Sequence, residues 1–313
     1  MTVITTTEYT LPSGRPSLFL RLRNKRRAGS TTSVLFVHGA TYPSTVTFDY
    51  AIEGSSWMDH LANRGLDTWC IDLLGYGISD RPPEMSRAAL ENNPLVDTVE
   101  AVSDVKRAVD FITALRGVEA IGLIGYSGGP AICGQVAGEA PAKVSRLVLA
   151  GALWVKAGDV QIAMDGPLGA YRLIDADATV RRWTVGLDTA QIDAIAPRER
   201  FLQWAQAAVA SDPESSRHTP ALLRAPTGVV KDLVHAWLND TPTYDPALIT
   251  CPALVVVGEW DQETTPEQGL NVFSKLTTAD SRRFILIGAA THLMLLEDQR
   301  HQLYAVVQAF LTD

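Results

Sequence analysis

Cysteine, histidine and long apolar runs are all scarce in this chain of 313 residues, and each scarcity excludes something. The three cysteines, Cys70, Cys133 and Cys251, lie far apart with no C-x-x-C pair, so neither a disulfide scaffold nor a thiolate metal site is expected. Apolar runs such as Leu254–Val257 end far short of the roughly 18 residues a membrane helix needs. Met1–Thr10 has neither the basic start nor the apolar stretch of a secretory signal, so a soluble cytoplasmic protein without a membrane partner is expected. Positive charge is in deficit, with 27 Lys and Arg against 35 Asp and Glu and a net charge of −8. Such a chain repels a phosphate backbone, and no nucleic-acid partner is expected. One local exception, Arg21, Arg23, Lys25, Arg26 and Arg27, reads as a solvated face. Low-complexity tracts are absent and 46% of residues are hydrophobic, which excludes disorder.

What is present is a rhythm. Short apolar runs alternate with longer helical patterns: Ser33–His38, Leu66–Asp72, Ala120–Gly125, Val144–Ala150, Ala253–Gly258 and Arg283–Gly288 read as buried strands. Between them, Trp57–Arg64, Leu95–Leu115, Gly129–Ala140, Pro266–Leu276 and Glu297–Leu311 read as helices; Val102, Val105, Val109 and Ile112 give the second a core-facing stripe. This alternation predicts an α/β fold with a mostly parallel sheet covered on both faces. A Pro-Ser-Gly turn at 12–14 predicts an antiparallel hairpin on the sheet edge. From about Val155 to Pro246 the rhythm breaks, and helical pieces such as Glu199–Ala210 and Gly228–Leu238 fit best. That stretch is read as an insertion lying over the sheet, with residues 1–154 and 247–313 forming the core and 155–246 the inserted part.

Gly125-Tyr126-Ser127-Gly128-Gly129 follows a predicted strand and opens a predicted helix, the setting of a G-x-S-x-G nucleophile elbow. The sharp turn strains Ser127, and the helix start behind it supplies free N–H groups and a partial positive charge. A serine hydroxyl needs a base. Of six histidines, His292 lies in the loop just past the last predicted strand, at the carboxyl edge of the sheet where Ser127 emerges. The base needs an orienting carboxylate, and Asp261 follows the fifth strand at that edge in the order Ser, acid, His; Glu259 is the alternative. The backbone N–H groups of Ala40 and Gly128 are the expected oxyanion donors, and His38 is expected to be a structural imidazole.

His38-Gly39, Asp72-Leu-Leu-Gly-Tyr-Gly77, Gly125–Gly129, Gly258-Glu-Trp-Asp261 and Ala290-Thr-His292 occur in one order over nearly the whole chain. Together they resemble the α/β-hydrolase superfamily. The resemblance implies an eight-stranded sheet, a helical cap after the sixth strand, a structural role for Ser79 and Asp80 in a turn, and chemistry without a cofactor. A serine rather than an aspartate at 127 implies cleavage of esters, thioesters, amides, lactones or C–C bonds through an acyl-enzyme. The chain is similar to serine carboxylesterases, including those acting on monoalkyl phthalates, so a small-molecule ester is the expected substrate. A C–C bond hydrolase, a lactonase, or a ligand-binding receptor with little turnover remain alternatives. Tyr126, Trp154, Trp183, Trp260 and Leu293 are expected to line the pocket, with Arg172 and Arg181 the candidates to grip a substrate carboxylate.

Overall fold

Five of the six predicted apolar strands are largely buried, as the inner strands of a parallel sheet are, while the sixth, Arg282–Ile287, lies at the sheet edge with its arginines and Leu286 exposed. The computed structural model describes residues 3–153, 167–239 and 241–313, without the side chains of 237 and 238. In chain order the elements are β1 (Thr5–Pro12), β2 (Phe19–Arg26), β3 (Thr32–Val37), α1 (Ser44–Phe48), α2 (Trp57–Asn63), β4 (Leu66–Asp72), α3 (Thr98–Arg116), β5 (Ile121–Tyr126), α4 (Gly129–Glu139) and β6 (Val144–Ala150). There follow β7 (Tyr171–Ile174), α5 (Ala176–Trp183), α6 (Thr189–Ile195), α7 (Arg198–Ala210), β8 (Leu223–Pro226), α8 (Gly228–Leu238), β9 (Ala253–Gly258), α9 (Pro266–Lys275), β10 (Arg282–Ile287) and α10 (Arg300–Thr312).

The main sheet has eight strands in the order β1-β2-β4-β3-β5-β6-β9-β10. Strand β2 is antiparallel to both neighbours; every other pairing is parallel. This is the expected α/β-hydrolase fold. All five strands β3 to β6 and β9 carry their carboxyl ends to one edge, so the loops after them meet there.

Three expectations are sharpened. The basic run is part of β2 rather than a free solvated face: Arg23 pairs with Glu8 and Asp49, and Lys25 with Asp49 and Asp59. Helix α10 begins at Arg300 rather than Glu297, because the Glu297 carboxylate turns inward to accept from the Thr291 amide (3.0 Å) and from Trp183 Nε1 (2.8 Å). The segment between β6 and β9 is not wholly helical. Strands β7 and β8, about fifty residues apart in sequence, form an antiparallel pair; four residues each, without alternation or a closing glycine, they give no strand signal.

That segment packs onto the sheet's helices and loops through apolar side chains. Trp183, Phe201 and Trp204 share one cluster with Phe36, Tyr126 and Leu293–Leu296. At roughly 1.5–3 kcal/mol for each large side chain removed from water, this contact is a substantial part of what holds the segment down.

Candidate active site

The elbow forms because nothing larger than glycine fits around it. Ser127 has a φ of 61°, a left-handed conformation that serine rarely adopts. Its N–H donates to the Ala150 carbonyl (2.9 Å), which holds the turn against β6. A Cβ on Gly125 would stand 2.6 Å from the Gly129 carbonyl carbon, and one on Gly129 would stand 2.3 Å from the Val37 oxygen. The first glycine lets the turn close on itself; the second lets α4 approach β3.

Ser127 Oγ lies 2.9 Å from His292 Nε2, and His292 Nδ1 lies 2.8 Å from Asp261 Oδ2. The three residues that sequence reading brought to one edge are therefore bonded in series. Asp261 is held on both oxygens: the Glu263 and Thr264 amides donate to Oδ1 (2.9 and 2.8 Å), and the Thr264 hydroxyl donates to Oδ2 (2.7 Å). Glu259, the alternative acid, accepts instead from the Ala289 amide (2.8 Å). The His292 ring stacks on Tyr126, whose hydroxyl donates to the His292 carbonyl (2.7 Å). Burial pulls the His292 pKa down, but the charges of Asp261 and Glu263 and the Asp261 hydrogen bond outweigh it, and the net shift is upward.

Ala40 N lies 3.3 Å from where a Cβ on Gly128 would be, so the two expected oxyanion donors sit side by side. A side chain on Gly39 would collide with Ser127 itself, 2.7 Å from its Cβ. The Ala40 carbonyl accepts from Tyr76 Oη (3.1 Å) and Arg172 Nη2 (3.1 Å). His38 is a structural imidazole, as read. Its Nε2 accepts from the Leu73 amide (3.1 Å) while Nδ1 bonds the Gly39 carbonyl (2.6 Å), and burial lowers its pKa to about 4, so it stays neutral. Ser79 and Asp80 fix a turn against β2, accepting from the Arg21 and Phe19 amides (2.8 Å each).

Over Ser127 lies a small cavity bounded by Gly39, Ala40 and His292. Tyr126 and Leu293 line it, as expected; so do Tyr42, Thr41, Arg182 and Glu263, which sequence reading passed over. The remaining expected pocket residues are placed differently. Arg181 faces a separate groove with Arg198 and Leu202. Trp183 is buried in packing against Phe201 and Trp204, and Trp260 is half-buried in the same cluster without reaching the cavity. Arg172 stands behind the cavity, bonded to Ala40 and Thr41. Trp154 lies outside the described residues.

Helical arithmetic could have separated the two arginines. In α5 the buried residues are Thr179 and Trp183, so position 182 lies near the inner face and 181 on the outer one. Arg182 Nε donates to Glu263 Oε1 (2.6 Å), Nη2 to Oε2, and Nη1 to the Thr41 hydroxyl (2.9 Å). Glu263 carried no sequence signal beyond standing two residues after Asp261. Among the described residues, no group of three or more His, Cys, Asp or Glu side chains could hold a metal ion.

A strained serine at the carboxyl edge of this sheet, bonded through histidine to aspartate, defines a class. Residues 32–299 match the family described as the alpha/beta hydrolase fold. The chain belongs to that family and is, as a class, a hydrolase of this fold. Curated proteins give no significant sequence match. Solved structures similar along the whole chain include a serine hydrolase involved in carbazole degradation (17% identity, 98% of this chain and 99% of that one, TM-score 0.64). They also include 2-hydroxy-6-oxo-6-phenylhexa-2,4-dienoate hydrolase from Rhodococcus sp. strain RHA1 (16%, 99% and 100%, TM-score 0.63). A third is a thermophilic esterase from Thermogutta terrifontis, solved with malate bound (18%, 98% and 98%, TM-score 0.59). At these identities the likeness concerns the fold alone.

Proposed function

We propose that the protein is a serine hydrolase cleaving carboxylic esters of small to medium molecules through an acyl-enzyme. The observation that carries this reading is the unbroken line Ser127 Oγ, His292, Asp261, with bonds of 2.9 and 2.8 Å. Ser127 Oγ attacks the ester carbonyl carbon while His292 Nε2 takes its proton; Asp261 stabilises the imidazolium. The N–H groups of Ala40 and Gly128 receive the negative oxygen, a contribution of about 2.7–4 kcal/mol for each donor of this kind. His292 then returns the proton to the leaving alcohol, and water repeats the sequence on the acyl-serine.

Residues 155–246 are read as the cap that selects the substrate. Half-esters such as monoalkyl phthalates have less support than neutral esters. The arginine that lines the cavity, Arg182, is already held by two bonds to Glu263, so a substrate carboxylate would compete with an internal one. Neither nucleic acid nor membrane is a proposed partner; no helix among the described residues is long and apolar enough to cross a membrane. A cytoplasmic setting fits the three cysteines, all buried and unpaired.

Hydrolysis of p-nitrophenyl acetate and butyrate by the protein and by Ser127→Ala tests the reading. We expect the variant to lose at least a thousandfold in kcat/KM, in line with the loss of an activated nucleophile. Equal rates would overturn it. Turnover of a vinylogous 1,5-diketone above that of every ester would indicate C–C bond cleavage. Slow hydrolysis with large ligand-induced thermal stabilisation would indicate a receptor.

A further inference from the structure

Four charged side chains stand around Ser127 and His292. Two carboxylates lie on the imidazole side: Asp261 at Nδ1, and Glu263, whose Oε2 is 3.8 Å from His292 Nε2. Two guanidinium groups lie on the side of the oxyanion loop: Arg172, bonded to the Ala40 carbonyl, and Arg182, bonded to Thr41. With His292 neutral the four formal charges cancel. When Ser127 attacks, positive charge develops on the imidazole beside Asp261 and Glu263, and negative charge develops on the substrate oxygen at the loop that Arg172 and Arg182 hold. Fixed charges arranged along the displacement of charge lower the barrier without reorganising.

Glu263 is built into this place. Its amide belongs to the turn that secures Asp261 (2.9 Å), so the loop that orients the first carboxylate also delivers the second. Its side chain is 8% exposed and gripped through both oxygens by Arg182. A buried carboxylate needs such a partner, and the grip leaves it ionised, its pKa held below the ordinary value against burial by Arg182 and His292. The groups facing His292 are Asp261 and Glu263 from the loop after β9, Tyr126 from β5, and Arg182 from α5.

We propose that Glu263, held by Arg182, is a positioning residue for His292, stabilising through space the imidazolium formed as Ser127 is deprotonated. The proposal rests on the serine-hydrolase reading and adds to it a second carboxylate that the Ser, His, Asp pattern does not include. It also gives α5 a part in the chemical step, through the arginine that fixes that carboxylate.

The dependence of Glu263 on Arg182 provides the test. Glu263→Gln removes an anion from the imidazolium; Arg182→Gln removes the partner that keeps Glu263 ionised and in place; Arg182→Lys keeps the cation. Titration of the His292 ring by NMR, assigned against His292→Asn, reads the coupling without any turnover. The pH dependence of Ser127 modification by phenylmethylsulfonyl fluoride, and of p-nitrophenyl acetate hydrolysis, reads its consequence. We expect the midpoint to fall by about one pH unit in Glu263→Gln, to fall in Arg182→Gln as well, and to stay near wild type in Arg182→Lys. Adding Arg182→Gln to Glu263→Gln should lower it no further, because the anion is already gone. An unchanged midpoint in Glu263→Gln, or an Arg182→Gln shift equally downward with and without the Glu263 carboxylate, in variants with wild-type circular dichroism would overturn the proposal. If Ser127→Ala hydrolyses esters as well as wild type, the serine-hydrolase reading fails, and the NMR titration still decides whether Glu263 acts on His292.

Discussion

At the scale of single residues, the support around Asp261 sets how firmly His292 is aimed. Four donors converge on its carboxylate, and one is the Thr264 hydroxyl (2.7 Å), which also stands 3.1 Å from His292 Nδ1. Thr264→Val keeps the shape of the side chain and removes that donor. A hydrogen bond to a charged group contributes about 1.5–3 kcal/mol, so kcat for ester hydrolysis is expected to fall about tenfold, near the lower end, because three donors remain. KM should change little, since Thr264 does not line the cavity. An unchanged kcat would mean that the two backbone amides suffice to orient Asp261. The same scale explains why Arg182 was missed in sequence while Ser127 was not. The elbow is a local pattern of glycines, of which Gly125 and Gly129 are each excluded from bearing a side chain by a neighbour within 3 Å. The arginine matters only because a helix start at Asp175, whose side chain caps the Ala178 amide, fixes which face of α5 points inward.

At the scale of elements, the parallel strands were legible because burial on both faces leaves a continuous apolar run. The loops following them carry Ser127, Asp261 and His292, which the order of strands alone brings to one edge. The β7–β8 pair was not legible, since its strands are joined by contacts distant in sequence. Nor was the late start of α10, set by the inward turn of Glu297, whose carboxyl burial pushes up to about 7. The opposite, amino-terminal edge of the sheet holds a polar network of another kind. Asp67 in β4 accepts from Ser33 in β3 (2.8 Å), Asn24 in β2 (2.7 Å), Trp69 (2.8 Å) and Arg116 at the end of α3 (2.7 Å). This ties three strands and a helix at a site 1% exposed. Asp67→Asn leaves Arg116 without its anion, and urea unfolding is expected to show a loss of about 3 kcal/mol. Partners hold the Asp67 carboxyl below its ordinary range against burial, so this stabilisation is present above the unfolded carboxylate pKa and is lost as pH falls below it. Reaction of Ser127 with phenylmethylsulfonyl fluoride should be unaltered at neutral pH; a parallel loss would show that the two edges are coupled.

At the scale of the whole molecule, the question is whether the segment between β6 and β9 folds by itself. Its described apolar residues pack on one another only within clusters shared with the rest of the molecule. Trp183, Ile195, Phe201 and Trp204 complete a cluster with Val34, Phe36 and Met294, while Ala170, Ala225, Val229 and Leu233 join a second cluster with Leu35, Val102 and Leu123. Polar contacts also cross the boundary: Trp204 Nε1 donates to the Val46 carbonyl (2.9 Å), Trp183 Nε1 to Glu297 (2.8 Å), and the Asp298 amide to the Ile195 carbonyl (2.8 Å). A segment that draws its core from its host has no independent stability to retain once the host unfolds. Urea unfolding followed by far-ultraviolet circular dichroism and by tryptophan fluorescence is therefore expected to give one transition with coincident midpoints. The two signals weight the molecule differently, because Trp57 and Trp69 report on the sheet and its helices while Trp183 and Trp204 report on the segment. A fluorescence midpoint earlier than that of circular dichroism would instead show a segment that detaches first. The cavity bears on that outcome, since Arg182 from α5 lines it together with Ser127 and His292. A segment that detaches first would carry Arg182 away from Ser127 and open the site; strict coincidence would keep that lining in place until the whole molecule unfolds.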